Sequence, residues 1–162
     1  MDNDLDQFNS FTFGTLSLAE VREKVLKFME ERPEEKYRVV IGSDSQAKNG
    51  TETDFVSAIV IHRIGCGGIY FWQRKIDKKT YVLRQRIYQE ATLSLALADK
   101  FLEQTKYDGI SRYDVEIHVD IGEYGETKEM INEVVGMVRN LGYKVQIKPS
   151  SYGASKVADR HT

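Results

Sequence analysis

Cysteine, proline and long apolar runs are scarce in this chain of 162 residues. Its single cysteine, Cys66, excludes a disulfide within the chain and a zinc site built from several thiolates. No apolar stretch approaches the roughly 18 residues of a membrane-spanning helix, and the acidic start MDNDLDQF is unlike a secretory signal. We therefore predict a cytoplasmic protein with no membrane partner.

A surplus of basic charge is also missing. The chain carries 23 Lys and Arg against 25 Asp and Glu, with a pI near 6.0, so its overall charge does not indicate a nucleic-acid binder. The stretch RKIDKKTYVLRQR differs locally, because it holds six basic residues and one acid, Asp77. It is either a solvated hairpin and helix start or a phosphate-contacting surface. In the second interpretation, the residues that contact nucleic acid are Arg74, Lys75, Lys78, Lys79, Arg84 and Arg86.

The pattern of apolar residues predicts three consecutive strands followed by alternating helices and strands. Ser17 and Glu20 form a capping box that starts an additional N-terminal helix, which Pro33 ends, and the first dozen residues are expected to be irregular. After that helix, the expected strands cover 37–44, 55–63, 69–76, 113–121 and 143–148, and the expected helices cover 81–106, 127–140 and 154–162.

This order of elements limits the possible folds. Short polar joins let the first three strands pair as an antiparallel meander, whereas the helices that follow demand parallel crossovers. The expected fold is therefore α/β: a mixed five-stranded sheet with helices on both faces, plus an extra N-terminal helix. At this length one globular domain is expected, with an arm and helix at 1–36 packed on a core at 37–162.

Four acidic residues fall where such a fold would gather them. Asp44 ends the first predicted strand and Asp120 the fourth, so adjacent parallel strands would place both carboxylates at one edge of the sheet. Glu90 interrupts the buried stripe of the long helix, where an unpaired charge costs on the order of several kcal/mol. Either a nearby arginine forms a salt bridge with Glu90, or a metal ion is shared with the two aspartates. Asp159, in the final helix, would complete the set, although on its own it is typical of a surface aspartate.

Carboxylates grouped in this way have a known chemical use. Mg²⁺ and Mn²⁺ prefer oxygen ligands, and Mg²⁺ often takes further ligands from substrate phosphates. Two such ions can activate a water and stabilise the leaving oxygen when a phosphodiester bond is cut. The sequence offers no credible arrangement of serine or cysteine with histidine for nucleophilic catalysis. The acids therefore favour Mg²⁺ or Mn²⁺ as cofactor.

The chain contains, in order, the segments IGSDSQ, RIYQEATLSLALA, HVDIGEYGETKEMINEVVGMV and IKPSSYGASKVADRHT. Together they resemble the ribonuclease H-like superfamily and, within it, the small YkuK-like family. The resemblance implies a ribonuclease H fold with a metal site at Asp44, Glu90, Asp120 and Asp159. It also implies a nuclease that acts on RNA, an RNA–DNA hybrid or structured DNA, although the YkuK-like family itself indicates no substrate. His161 is either an assistant in proton transfer or product release, or a frayed terminal side chain.

Two departures from the superfamily pattern disfavour particular branches of it, and a second hypothesis stays open on other grounds. The tripeptide Asp44-Ser45-Gln46 disfavours the exonuclease branch, which typically has Asp-x-Glu there. The short join Asn140-Leu141-Gly142 leaves no room for the basic protrusion that hybrid-cleaving members often carry. The second hypothesis is a catalytically silent ribonuclease H-like module that binds nucleic acid or a protein partner. The complete acidic set favours the nuclease, whereas the mildly acidic pI favours the silent module.

Overall fold

The computed structural model describes residues 6–123, 125–148, 150–151 and 157. Its strands are β1 (Gln7–Ser10), β2 (Gly14–Ser17), β3 (Tyr37–Lys48), β4 (Glu52–Arg63), β5 (Gly68–Asp77), β6 (Val115–His118) and β7 (Lys144–Gln146). Its helices are α1 (Leu18–Glu31), α2 (Leu83–Gln104) and α3 (Ile131–Asn140), and short 3₁₀ turns cover Arg112–Asp114 and Lys128–Met130.

One mixed sheet contains these strands in the order β2-β1-β5-β4-β3-β6-β7. β3 lies in its interior, antiparallel to β4 and parallel to β6. The β-branched run Val39-Val40-Ile41 suits this position, because such side chains pack well on a pleated, buried surface. β6 and β7 are parallel as well, with α3 between them in the chain. The predicted α/β class with a mixed sheet is confirmed.

The prediction of five strands was wrong, because the sheet has seven strands within the described residues alone. The first dozen residues were expected to be irregular, but they contribute to a hairpin of β1 and β2. The chain enters β2 at Gly14, whose φ of 74° suits a glycine. Phe8 and Leu16 of this hairpin are buried in the main core, and that burial favours keeping two such short strands on the sheet. The hairpin joins the sheet where Asn9 pairs with Trp72 of β5, a long-range contact that no local pattern reveals.

The hairpin of β3 and β4 is longer than predicted. Its turn contains Asn49 and Gly50 at φ angles of 55° and 66°, a region that asparagine and glycine tolerate better than other residues. Asp44 therefore lies within β3 rather than at its end, opposite Val56 of β4. Asp54, expected in a polar join, belongs to β4.

The helices α1, α2 and α3 all contribute to one hydrophobic core on the same side of the sheet, called here the helix face. α1 begins at the predicted capping box, where Ser17 and Glu20 exchange two hydrogen bonds of 3.1 Å. The side chains that α1 and α2 bury in this core include Val21, Val25, Ile87, Ala91, Leu97 and Phe101.

The other side of the sheet is called here the opposite face. Alternation along β3 directs Val40, Gly42 and Asp44 to this face. Val40 forms a small buried cluster there with Ala58 of β4, and Val157 packs against it. The final helix predicted over 154–162 otherwise falls outside the described residues, so helices on both faces stay a prediction. Every helix in the described ranges is too short or too polar to cross a membrane.

Candidate functional site

Glu90 lies on the side of α2 that packs against β3, and only 5% of it is exposed. Ser45 Oγ donates a hydrogen bond to Glu90 Oε1 at 2.6 Å. One turn further along α2, Ser94 Oγ is 2.8 Å from Ser43 Oγ, which in turn is 2.7 Å from Ser57 Oγ of β4. These buried hydroxyls link α2 to the helix face of β3 and β4, and they hold Glu90 against the sheet.

The surroundings of Glu90 disfavour its charge. The pKa of Glu90 rises from 4.5 to about 8, and burial is the main cause. The negative charges of Asp44 and Asp120 add to the rise. The hydrogen bond from Ser45 and the positive charge of Arg86 oppose it. Both aspartates are therefore close enough to Glu90 to act on it electrostatically. A buried acid with two acidic neighbours is a strong candidate for a functional site, because a cation would relieve all three charges.

An arginine salt bridge was the alternative explanation for Glu90. Arg86 lies one turn before Glu90 on α2 and lowers its pKa by charge alone. Among the residues that the structure describes, Glu90 makes no ion pair, and Ser45 is its hydrogen-bond partner. Arg86 Nε is buried and has no hydrogen-bond partner within the same residues. The described contacts therefore leave the charge of Glu90 uncompensated by a direct cationic contact.

The sheet opens beside Asp44. β3 pairs with β6 from Val39 to Gly42, but β3 itself continues to Lys48. Beyond His118 the chain hydrogen-bonds on its β7 side instead: Val119 N–H donates to Gln146 O at 2.9 Å, and Lys148 N–H donates to Ile121 O at 2.8 Å. Asp44, Ser45 and Asp120 therefore border the place where β3 and the chain after β6 separate.

Asp44 and Asp120 belong to different elements on the two sides of this separation. Side chains alternate along β3, so Asp44 lies on the opposite face, whereas its neighbour Ser45 lies on the helix face beside Glu90. Asp120 follows β6 by two residues, and its Oδ1 is 3.1 Å from Lys148 Nζ. Three of the four predicted acids thus lie in one region, with Glu90 and Asp44 coming from different faces of the sheet.

To bind one metal ion, acidic side chains have to lie close together and not merely in the same region of the fold. Across residues 6–123, 125–148, 150–151 and 157, no three Asp, Glu, His or Cys side chains lie close enough together to hold one ion. Asp159 and His161 fall outside these residues. The four-acid metal site therefore stays a prediction.

Two buried acids were not predicted from the sequence. Glu116 Oε2 lies 3.2 Å from His118 Nε2 and 3.6 Å from Arg38 Nε, and Glu116 alternates with apolar residues as on a solvent-facing strand. Asp54 is fully buried, 2.8 Å from Lys48 Nζ and 3.0 Å from Arg74 Nε. It belongs to the polar segment NGTETD, which is typical of an exposed turn, so no local signal distinguishes it.

The six basic residues of RKIDKKTYVLRQR do not lie on one surface. Arg74 and Lys75 are neighbours in β5, so their side chains project to different faces of the sheet. Lys78 is exposed, while Arg86 is half-buried on α2. A cleft of about 440 Å³ near the start of α2 is lined by basic and aromatic side chains, among them Lys79, Tyr81, Arg84 and Tyr88.

A family model described as ribonuclease H-like matches residues 20–162. This match defines the class of protein: the chain belongs to the ribonuclease H-like family, and to its YkuK-like members. It is 31% identical over 173 aligned positions to the "Uncharacterized protein YkuK" of Bacillus subtilis (strain 168), an alignment that covers 95% of this chain and 98% of that protein. No solved structure matches the chain.

Proposed function

We propose that this protein is a metal-dependent nuclease that hydrolyses phosphodiester bonds in RNA, RNA–DNA hybrid or structured DNA. The observation that carries the proposal is the Glu90 carboxyl, which is buried on α2, hydrogen-bonded to Ser45 and raised in pKa to about 8 by burial and nearby acids. A buried acid of this kind gains most from a cation, and the family to which the chain belongs makes a divalent ion the natural candidate.

The donor atoms suit Mg²⁺ or Mn²⁺. Asp44, Glu90, Asp120 and Asp159 supply carboxylate oxygens, the ligands that these hard ions prefer over nitrogen or sulfur. Two such ions, bound there, would activate a water and stabilise the leaving oxygen of the phosphodiester.

Other residues of the chain would orient or neutralise the proposed ligands and assist the reaction. Ser45 fixes one oxygen of Glu90, so that the other is available to a cation. Lys148 neutralises Asp120 at 3.1 Å and would have to release it as an ion binds. His161 is proposed to assist proton transfer or product release. The cytoplasmic location stays a prediction.

A second candidate function is a silent ribonuclease H-like module that binds nucleic acid or a protein partner without cutting. The ion pair between Lys148 and Asp120 favours it, because a lysine already occupies the place of a cation on one predicted ligand. The two functions differ in one measurable property, which is metal-dependent cleavage.

A substrate panel tests the proposal. RNA, RNA–DNA hybrid, single-stranded DNA and branched DNA are each incubated with the protein and Mg²⁺, Mn²⁺ or EDTA. We expect cleavage of at least one substrate with a metal, none in EDTA, and none by Asp44→Asn. Glu103→Gln is the matched control, because Glu103 is an acid on α2 whose side chain is 72% exposed, and it should cleave normally.

The panel also separates the candidates. Cleavage that survives in Asp44→Asn would come from a contaminant or from another site, and it would contradict the proposal. Binding of a substrate with no cleavage by the wild type under either metal would instead favour the silent module.

A further inference from the structure

A cleft of about 630 Å³ lies between α3 and the chain around β7. Its apolar lining consists of half-buried residues from both elements, with Ile131 and Val135 on one side and Val145 and Ile147 on the other. Among its described lining residues, none belongs to the basic stretch RKIDKKTYVLRQR. Ligand pockets typically enclose about 300–1,000 Å³ and combine a mostly apolar lining with a few polar groups. The cleft therefore has the dimensions of a ligand site.

Polar groups line the cleft on both sides. Asn132 and Arg139 of α3 are exposed, and neither side chain makes a hydrogen bond or an ion pair within the residues that the structure describes. β7 is the last strand of the described sheet, and Gln146 O accepts a hydrogen bond from Val119 N–H on the β6 side. Alternation along β7 then directs the N–H and C=O of Val145 to the outer edge of the sheet. The cleft thus offers a side-chain amide and a backbone edge, each with a donor and an acceptor.

Such pairs of donor and acceptor suit a nucleobase. Bases present hydrogen-bond donors and acceptors side by side along their edges, and asparagine is among the side chains that pair with them. The charges of the cleft favour the same ligand, because Glu123 and Arg139 are opposite in sign and Lys148 pairs with Asp120. A phosphate is bound best by a surplus of positive charge, whereas a neutral base needs none.

Lys148 connects the cleft to the proposed active site. Lys148 and Gly122 both line the cleft, and an added Cβ at Gly122 would lie 3.1 Å from Lys148 Cβ. At its other end, Lys148 Nζ is 3.1 Å from Asp120 Oδ1. Gly122 follows Asp120 by two residues, a distance of at most about 7 Å along the chain. At a rise of about 3.4 Å per nucleotide, this separation corresponds to one or two nucleotides.

We infer that the cleft between α3 and β7 binds one unpaired base of the nucleic-acid substrate, one or two nucleotides from the phosphate at the proposed metal site. The inference rests on the proposed function for its ligand class. A base enters such a cleft only when it has left the base-paired stack. The substrate is therefore a single strand or a structure with an unpaired nucleotide, rather than a continuous RNA–DNA hybrid.

Fluorescence anisotropy in EDTA tests the inference without cleavage. The probes are a labelled single-stranded RNA, a single-stranded DNA of the same sequence, and that RNA annealed to its complementary DNA. We expect Asn132→Ala to weaken binding of at least one single strand by roughly 3- to 10-fold, because one hydrogen-bonding group is lost, and to leave binding of the hybrid unchanged. Titrations between about 50 and 200 mM NaCl should show the wild-type slope of log K against log salt, because no phosphate contact is removed.

A second variant and a control complete the test. Val135→Phe keeps every polar group and places a ring in the cleft, so it should weaken the same single strand at least as much as Asn132→Ala. Asn140→Ala is the matched control, because Asn140 is an exposed asparagine on the same helix that does not line the cleft, and it should bind as wild type. Melting temperatures check folding, and Asn132→Ala decides alone if Val135→Phe melts early, since alanine is favourable at an exposed helix position. Unchanged single-strand affinity in Asn132→Ala, an equal loss in Asn140→Ala, or an equal loss for the hybrid would overturn the inference.

The outcome stays distinct from that of the proposed function. Single-strand binding that depends on Asn132, in a protein that cleaves no substrate of the panel, supports the inference while the nuclease proposal fails. Metal-dependent cleavage of single strands by Asn132→Ala with the wild-type KM overturns the inference and leaves the nuclease intact. Absence of wild-type binding to every probe overturns the inference as well.

Discussion

Replacing Glu90 with glutamine should stabilise the protein at alkaline pH. The pKa of Glu90 is about 8 in the folded protein against an ordinary value of 4.5, so the folded state keeps a proton that the unfolded chain releases. The contribution of Glu90 to the free energy of unfolding should therefore be fully present below pH 4.5 and be lost as the pH rises towards 8. At 1.36 kcal/mol per pKa unit, the difference of 3.5 corresponds to about 5 kcal/mol.

Glutamine removes this loss while keeping the shape of the side chain. Its amide oxygen can still accept the hydrogen bond that Ser45 Oγ donates to Glu90 Oε1. Near pH 5 the wild type and Glu90→Gln should therefore be similar in stability. Near pH 9 the variant should be more stable by up to about 5 kcal/mol, which for a chain of this length corresponds to a Tm higher by roughly 10–20 °C.

Thermal and urea unfolding in EDTA at pH 5, 7 and 9 measure the effect. Glu103→Gln is the control, because its exposed carboxyl on the same helix should change stability by less than about 0.5 kcal/mol at every pH. If Glu90→Gln is instead less stable than wild type by about 3–5 kcal/mol at pH 9, an arginine has lost its partner and Glu90 belongs to a buried salt bridge. A difference that does not vary with pH would also refute the argument, since it would mean that Glu90 does not titrate between the two states.

Three further predictions test the site and the fold. Mg²⁺ or Mn²⁺ at 100 times its Kd should add about 2.7 kcal/mol to the free energy of unfolding and raise the wild-type Tm by roughly 5–11 °C. Ser45→Ala should make this shift smaller, because Glu90 loses its hydrogen bond. No shift with either ion would count against the metal site. Phe8→Ala should destabilise the protein by about 3–5 kcal/mol in urea unfolding and expose the N-terminal hairpin to limited proteolysis, because Phe8 is buried in the main core. Arg63→Met should lower the free energy of unfolding by about 1–3 kcal/mol, because Arg63 is 7% exposed and donates a 2.7 Å hydrogen bond to the carbonyl of Phe28. Equal urea midpoints for variant and wild type would contradict this.

The sequence was most informative where one local rule decides the structure. The capping box at Ser17 and Glu20 predicted where α1 begins, and both hydrogen bonds are present. Glu90 was singled out because a charged residue within an apolar helical stripe has to be buried, and it is 5% exposed. In both cases a pattern within a single element was enough.

The features that the sequence did not reveal depend on contacts between distant elements. The N-terminal hairpin is held by the burial of Phe8 and by the pairing of Asn9 with Trp72, and neither contact can be read from the short segment itself. Asp54 looks like a turn residue until the register of β4 against β5 and β3 places it between Lys48 and Arg74. Register is set by long-range pairing, so a single sequence does not determine which buried acid meets which cation.

The separation of β3 from the chain after β6 bears on how acids from both faces of one sheet would serve the proposed site. In a continuous sheet, Asp44 on the opposite face and Glu90 above the helix face would be kept apart by the backbone between them. Pairing with β6 stops at Gly42, two residues before Asp44, and the chain that carries Asp120 then follows β7 instead. Beside Asp44, β3 is therefore no longer paired with β6. On the helix face, Ser45 donates a hydrogen bond to one oxygen of Glu90, and alternation places its neighbour Asp44 on the opposite face of the same strand.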